Sequence, residues 1–126
     1  MKLFLVWGAL NMVLAVALGA FGAHGLKKHI SPELLATWNT SVLYHLIHAL
    51  GLLIVGVLGY QFPELQHLGS AGWSLLAGIL LFSGSLYLLV LSGIHFFGII
   101  TPFGGIAYIV GWLLLAAGLF RLNIPH

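Results

Sequence analysis

The positions of the charges constrain this chain more than anything else in it. Lys2, Lys27, Lys28, Glu33, Glu64 and Arg121 are its only Lys, Arg, Asp or Glu residues, and they leave uncharged stretches at 3–26, 34–63 and 65–120. A helix needs roughly 20 apolar residues to cross the hydrocarbon core of a bilayer. The first two stretches each hold one such helix and the third holds two. Within the third, Ser92-Gly93 ends one helix and Thr101-Pro102 starts the next, with Thr as N-cap and Pro at the first helical position. The expected spans are 3–23, 38–59, 71–91 and 102–120. The runs lack the period-two alternation of a membrane β-barrel, and helices satisfy every backbone group in lipid. The expected fold is therefore an all-α integral membrane protein, four transmembrane helices in an antiparallel bundle, forming one domain over 1–126. Composition agrees: 61% of residues are hydrophobic and 5% charged, against about a quarter charged in soluble domains.

The connections fit the same scheme. Ser31-Pro32-Glu33 is a helix start, with an acid near the positive helix end. A helix from Pro32 to Gly59 outruns the hydrocarbon core, so its first turns, with Trp38, are expected at the interface. Gly25 is expected to end the first helix in a left-handed conformation. Loop three, 92–101, is short and apolar and is expected to dip toward the membrane. The first span is expected to be retained, because its apolar run is long, is interrupted by Asn11 and lacks a clean cleavage site. Lys2 and Arg121 flank one face and Lys27 and Lys28 the other, a tie under the positive-inside rule. Lys2 ahead of the first span tips the expectation toward both termini inside.

Several chemistries are excluded outright. Cys is absent, which removes disulfides, thiolate ligands and Cys nucleophiles. With no Asp in the chain, a Ser-His-Asp triad cannot form, and the two Glu lie near opposite faces. No nucleophile elbow, phosphate loop or dinucleotide fingerprint is present. Four basic residues do not make a nucleic-acid face. No carboxylate lies in any span to relay protons.

Small residues recur on the helices. Gly8, Ala15 and Gly22 are spaced by seven with Asn11 near the same stripe, and Ala15, Gly19 and Ala23 are spaced by four. Span four carries Ala107, Gly111 and Ala116-Ala117-Gly118. Such rows let membrane helices approach closely, within the bundle first and in a homo-oligomer second. Asn11 is expected to hydrogen-bond a neighbouring helix, since an unpaired amide in lipid is costly.

Seven histidines among so few charges are the chemical anomaly. The topology assigns His24, His29 and His95 to one face, places His45 and His48 in the half of span two nearest it, and leaves His67 and His126 on the other. His45 and His48, three apart, share a helix face with Tyr44 and Ser41. Ionisable groups inside a membrane are functional candidates by default. Three readings follow. Each histidine is a neutral, hydrogen-bonded packing element; or His24, His48 and one of His45 or His95 hold a metal or haem; or the half-site is a polar cavity for a quinone, lipid headgroup or small molecule, lined also by Ser83, Ser85 and Tyr87.

Four ordered motifs then resemble one family: Gly-Ala-Phe-Gly-Ala-His-Gly-Leu at 19–26, Tyr44 with His48-Ala49-Leu50, Phe82-Ser83-Gly84-Ser85-Leu86-Tyr87, and Thr101-Pro102-Phe103-Gly104-Gly105 running to Gly111-Trp112. The chain resembles the small membrane proteins filed under domain of unknown function 423, the YgdD-like proteins, whose eukaryotic relatives are called transmembrane protein 256. The resemblance covers nearly the whole chain and implies a bacterial inner-membrane protein of about four helices. It brings no activity, substrate or cofactor. In the family pattern a Gln follows the tyrosine, so His45 departs from it and His24 and His48 become the better metal pair. The expectation is a non-enzymatic scaffold or accessory subunit in the lipid bilayer, with a homo-oligomer or another membrane protein as partner and no nucleic acid. The alternative is a binding or transport module whose polar site is built from His24, Tyr44, His48, Ser83, Ser85 and Thr101.

Overall fold

A computed structural model describes residues 1–123; His126 lies outside them. Helix α1 runs Lys2–His24, α2 Pro32–Gln61, α3 Leu68–Gly78, α4 Gly84–Ser92 and α5 Thr101–Arg121. A π-helical turn, Ile79–Ser83, joins α3 to α4, so Leu68–Ser92 is one continuous rod. Four helical rods among the described residues are long and apolar enough to cross a membrane. The chain is an all-α integral membrane protein with its spans in an antiparallel bundle.

The helix ends follow from local chemistry, with two departures from expectation. Ser31 caps α2 as expected, its Oγ accepting from the Leu34 amide at 3.2 Å, with Pro32 and Glu33 in the first turn. Gly93 ends α4 in the left-handed conformation, φ +71°, where the absence of a Cβ removes the steric cost. Gly25, by contrast, is right-handed at φ −82°; its amide still bonds the Phe21 carbonyl and the chain passes straight into a 3-10 turn, Leu26–Lys28. Thr101 is the first residue of α5 rather than its cap, because its hydroxyl is drawn to Ser85 at 2.6 Å. Loop three folds as a 3-10 turn, His95–Ile99, that turns Phe96 and Ile99 outward.

Close packing begins with the small residues. The buried face of α1 is Phe4, Gly8, Asn11, Ala15 and Gly22, and it lies on α2. A Cβ on Gly8 would stand 2.8 Å from the Leu53 side chain and 3.0 Å from the Ala49 carbonyl. The rows expected from spacing are thus consumed largely inside the bundle, although Ala23, Ala116 and Ala117 face outward. The same packing encloses Trp38 near the loop-one end of α2. It is fully buried, because Gly22 leaves room for its ring and the Leu18 carbonyl accepts its indole N–H at 2.9 Å.

On the other side, α5 seats Gly104, Tyr108 and Gly111 against the third rod, and Gly118 meets Leu65 and Gln66 just ahead of it. One apolar cluster, including Phe4, Leu52, Val55, Leu75, Ile79 and Leu115, fills one part of the bundle. A second, Leu26, Trp38, Val42 and Val90, lies toward the end that carries loop one.

Candidate functional site

Among these apolar clusters lies a belt of buried polar groups drawn from three of the four rods: Asn11 on α1, Ser41, His45 and His48 on α2, Ser83 on the π turn and Ser85 on α4, all 9% exposed or less. No buried side-chain nitrogen or oxygen among the described residues lacks a hydrogen-bond partner. In hydrocarbon this is the expected state, because an unpaired polar group has no water to turn to.

The hydrogens in the belt can be assigned by elimination. A backbone carbonyl can only accept. The Trp7 carbonyl, 2.8 Å from Asn11 Nδ2, therefore fixes which way the Asn11 amide faces and leaves its Oδ1 toward His45 Nε2 at 3.0 Å. An amide oxygen also only accepts, so Nε2 of His45 carries the hydrogen. Nδ1 is then bare and accepts the Tyr87 hydroxyl at 2.9 Å. His48 resolves the opposite way. The Tyr44 carbonyl accepts from Nδ1 at 2.7 Å, so Nε2 is bare and accepts the Trp112 indole N–H at 3.0 Å. Two histidines one helical turn apart thus hold opposite neutral tautomers. Nitrogen-15 NMR of the imidazoles in detergent is expected to show an Nε2–H ring for His45 and an Nδ1–H ring for His48; matching tautomers, or fast exchange between tautomers, would contradict the assignment.

Around them the hydroxyls pair in the same exhaustive way. Ser41 Oγ donates to the Ser83 carbonyl at 2.8 Å and Ser83 Oγ donates back to the Ser41 carbonyl at 3.0 Å, a reciprocal clasp between α2 and the π turn. With its one hydrogen used, Ser83 Oγ accepts from the Tyr108 hydroxyl at 3.2 Å. The Tyr108 ring lies face to face on His48, 3.4 Å between centroids and 10° from parallel. Ser85 donates to the Phe82 carbonyl at 2.9 Å and accepts from Thr101.

The six residues expected to form one polar site are therefore divided. His48, Tyr44 and Ser83 meet around Tyr108: Tyr44 stacks beside His48 and Tyr108, though it is 39% exposed. Ser85 and Thr101 form a separate pair. His24 takes no part; it faces outward at the end of α1. Gly22 abuts Trp38, and His48 lies ten residues farther along α2, about 15 Å at 1.5 Å per residue. The structure does not bring His24 to His48, and no group of three or more His, Asp or Glu among the described residues has metal-binding geometry. The five histidines assigned to one half of the membrane also separate. His24, His29 and His95 face outward at one end, whereas His45 and His48 straddle the midpoint of Pro32–Gln61.

Asn11 does reach a neighbouring helix, as expected. Tyr108 and Trp112 were not singled out for chemistry. Their signal lay in the sequence, since Tyr108, Gly111 and Trp112 repeat at three- and four-residue spacing on the face of α5 that also carries Gly104.

Comparison with known proteins places the chain. The profile of a family described as "Protein of unknown function (DUF423)" matches residues 18–105. The UPF0382 membrane protein YwdK of Bacillus subtilis is 49% identical over 91% of this chain and 94% of its own length. UPF0382 membrane proteins of Staphylococcus aureus (strain bovine RF122) and Staphylococcus saprophyticus are 47% and 45% identical, over 96% and 97% of this chain and 98% and 100% of theirs. No solved structure matches. The chain belongs to the DUF423 family, whose curated relatives are uncharacterised membrane proteins.

Proposed function

We propose that this chain is a single-domain, non-enzymatic protein of the bacterial inner membrane that serves as a scaffold or accessory subunit for another membrane protein or for a further copy of itself. The observation that carries this reading is the commitment of the belt: both ring nitrogens of His45 and of His48 are occupied by partners within the chain. A ligand-binding or catalytic imidazole needs one nitrogen free for its substrate or metal. Here the polar groups act as clamps between helices, and the outer surface is left for association. The orientation with both termini in the cytoplasm is supported by Lys2 at the head of the first span.

Two measurements on protein purified in mild detergent test the proposal. The visible spectrum is expected to lack a Soret band and elemental analysis to give well under one metal per chain; stoichiometric metal or haem would overturn the reading. Crosslinking in native membranes is expected to capture a reproducible larger species. A chain that remains monomeric and alone would count equally against it.

A further inference from the structure

The end of the bundle opposite loop one carries a polar cavity of about 180 Å³ between loop two and the last turn of α5. Its walls hold one acid and one base, Glu64 and Arg121, and two amide residues, Gln66 and Asn123, with Leu65 and Gly118 beside them. Loop two is fixed at this place. The Leu65 N–H bonds the Phe62 carbonyl at 3.0 Å, and the Leu65 side chain belongs to the apolar cluster that includes Phe4 and Leu115. The Gln66 carbonyl lies so close to Gly118 that an added Cβ would collide with it. These contacts hold Glu64 and Arg121 on the same cavity.

The two charges restrict the occupant. Both side chains are exposed, and among the described residues they form no ion pair with each other. An anion alone would meet Glu64 and the negative end of α5, and a cation alone would meet Arg121. A zwitterion satisfies both. A guanidinium grips phosphate oxygens in a bidentate fork. A primary ammonium brings three N–H donors to a carboxylate and to the amide oxygens of Gln66 and Asn123. Lys2 and His67 belong to the same end of the bundle but line no part of the cavity.

Location selects the source of the zwitterion. Arg121 ends the fourth span and Glu64 lies between the second and the third, so the cavity stands at the headgroup level, just outside the hydrocarbon core. Next to Arg121, Phe120 is 92% exposed, an apolar surface for acyl chains. The volume is below the range of about 300–1,000 Å³ for drug-sized ligands, which suits a small headgroup.

We infer that this cavity binds the headgroup of an aminophospholipid, its phosphodiester at Arg121 and its primary ammonium at Glu64. The scaffold reading does not require this site, and the result for one leaves the other untouched.

Native mass spectrometry of the full chain in mild detergent tests it, with phosphatidylethanolamine, phosphatidylcholine and phosphatidylglycerol of identical acyl chains added in turn. Phosphatidylethanolamine is expected to be retained about tenfold better than either of the others, the gain from charge-assisted hydrogen bonding of its ammonium. Choline has no N–H to give Glu64, and the glycerol headgroup has no cation. Glu64→Gln is expected to remove that preference, whereas Arg121→Gln is expected to weaken retention of all three lipids. Because both side chains are exposed, the two variants are expected to keep the parent melting temperature. Soluble O-phosphoethanolamine in excess separates a membrane source from a dissolved one and is expected not to compete. Equal retention of the three lipids, stronger retention of phosphatidylglycerol, a preference that survives both substitutions, or full competition by the soluble headgroup would each overturn the inference.

Discussion

Gly104→Ala is expected to destabilise the folded bundle by at least about 2 kcal/mol, the upper part of the range for forcing a methyl group into a packed site, whereas Gly105→Ala, one residue along the same helix, is expected to be neutral or mildly stabilising. At Gly104 an added Cβ would fall 2.6 Å from the Leu81 carbonyl carbon and 2.6 Å from Phe82 Cα. Those are backbone atoms of the π turn, so no rotamer change relieves the clash and the two spans must separate. At Gly105 the nearest atom is the Phe82 side chain at 3.8 Å, an ordinary contact, and the helix gains about 0.8–1 kcal/mol of propensity. Unfolding in mixed detergent micelles would measure both variants. Similar losses at the two positions would mean that the approach of α5 to the π turn is not what holds this seam.

The contrast between these adjacent glycines marks how far the sequence can be read. Charge positions were enough to find four spans, since burying Lys or Glu in hydrocarbon is expensive wherever the chain goes. Gly8, Ala15 and Gly22 declared their face of α1 because seven residues return to nearly the same side of a helix. The π turn did not declare itself. Nothing in Ile79-Leu80-Leu81-Phe82-Ser83 distinguishes it from the apolar helix on either side; what holds it is the clasp with Ser41, forty-two residues away. The enclosure of Trp38 was hidden for a similar reason. Its indole looks amphipathic in isolation, and only the space above Gly22 and the Leu18 carbonyl turn it inward.

The polar site was half legible. Tyr44 and His48 share a face by spacing alone, but spacing along one helix cannot show which neighbour that face meets. His24 was drawn into the set by its glycine-rich surroundings, and the register of α1 on α2 sets Gly22 against Trp38, ten residues along α2 from His48. Tyr108 was overlooked because an aromatic residue in an apolar span looks like packing. It is packing, yet its hydroxyl also links Ser83 to the ring stacked on His48.

His45 offers the sharpest test of the belt as a set of clamps. His45→Leu is expected to cost about 2–5 kcal/mol, because it leaves the buried Asn11 carbonyl oxygen and the hydroxyl of the half-buried Tyr87 without their partner, at about 1–3 kcal/mol for each unsatisfied group. His45→Gln is expected to recover most of that loss. A glutamine side chain carries an N–H to donate to Asn11 and an oxygen to accept from Tyr87, the same polarity that the Nε2–H tautomer supplies now. Unfolding of the two variants in mixed micelles gives the comparison directly, and a double-mutant cycle with Asn11→Leu isolates the shared bond. If His45→Gln were as damaging as His45→Leu, ring packing against Tyr87 would outweigh the hydrogen bonds. If neither change mattered, the chain from Tyr87 through His45 to Asn11 would not be what ties α1, α2 and α4 together.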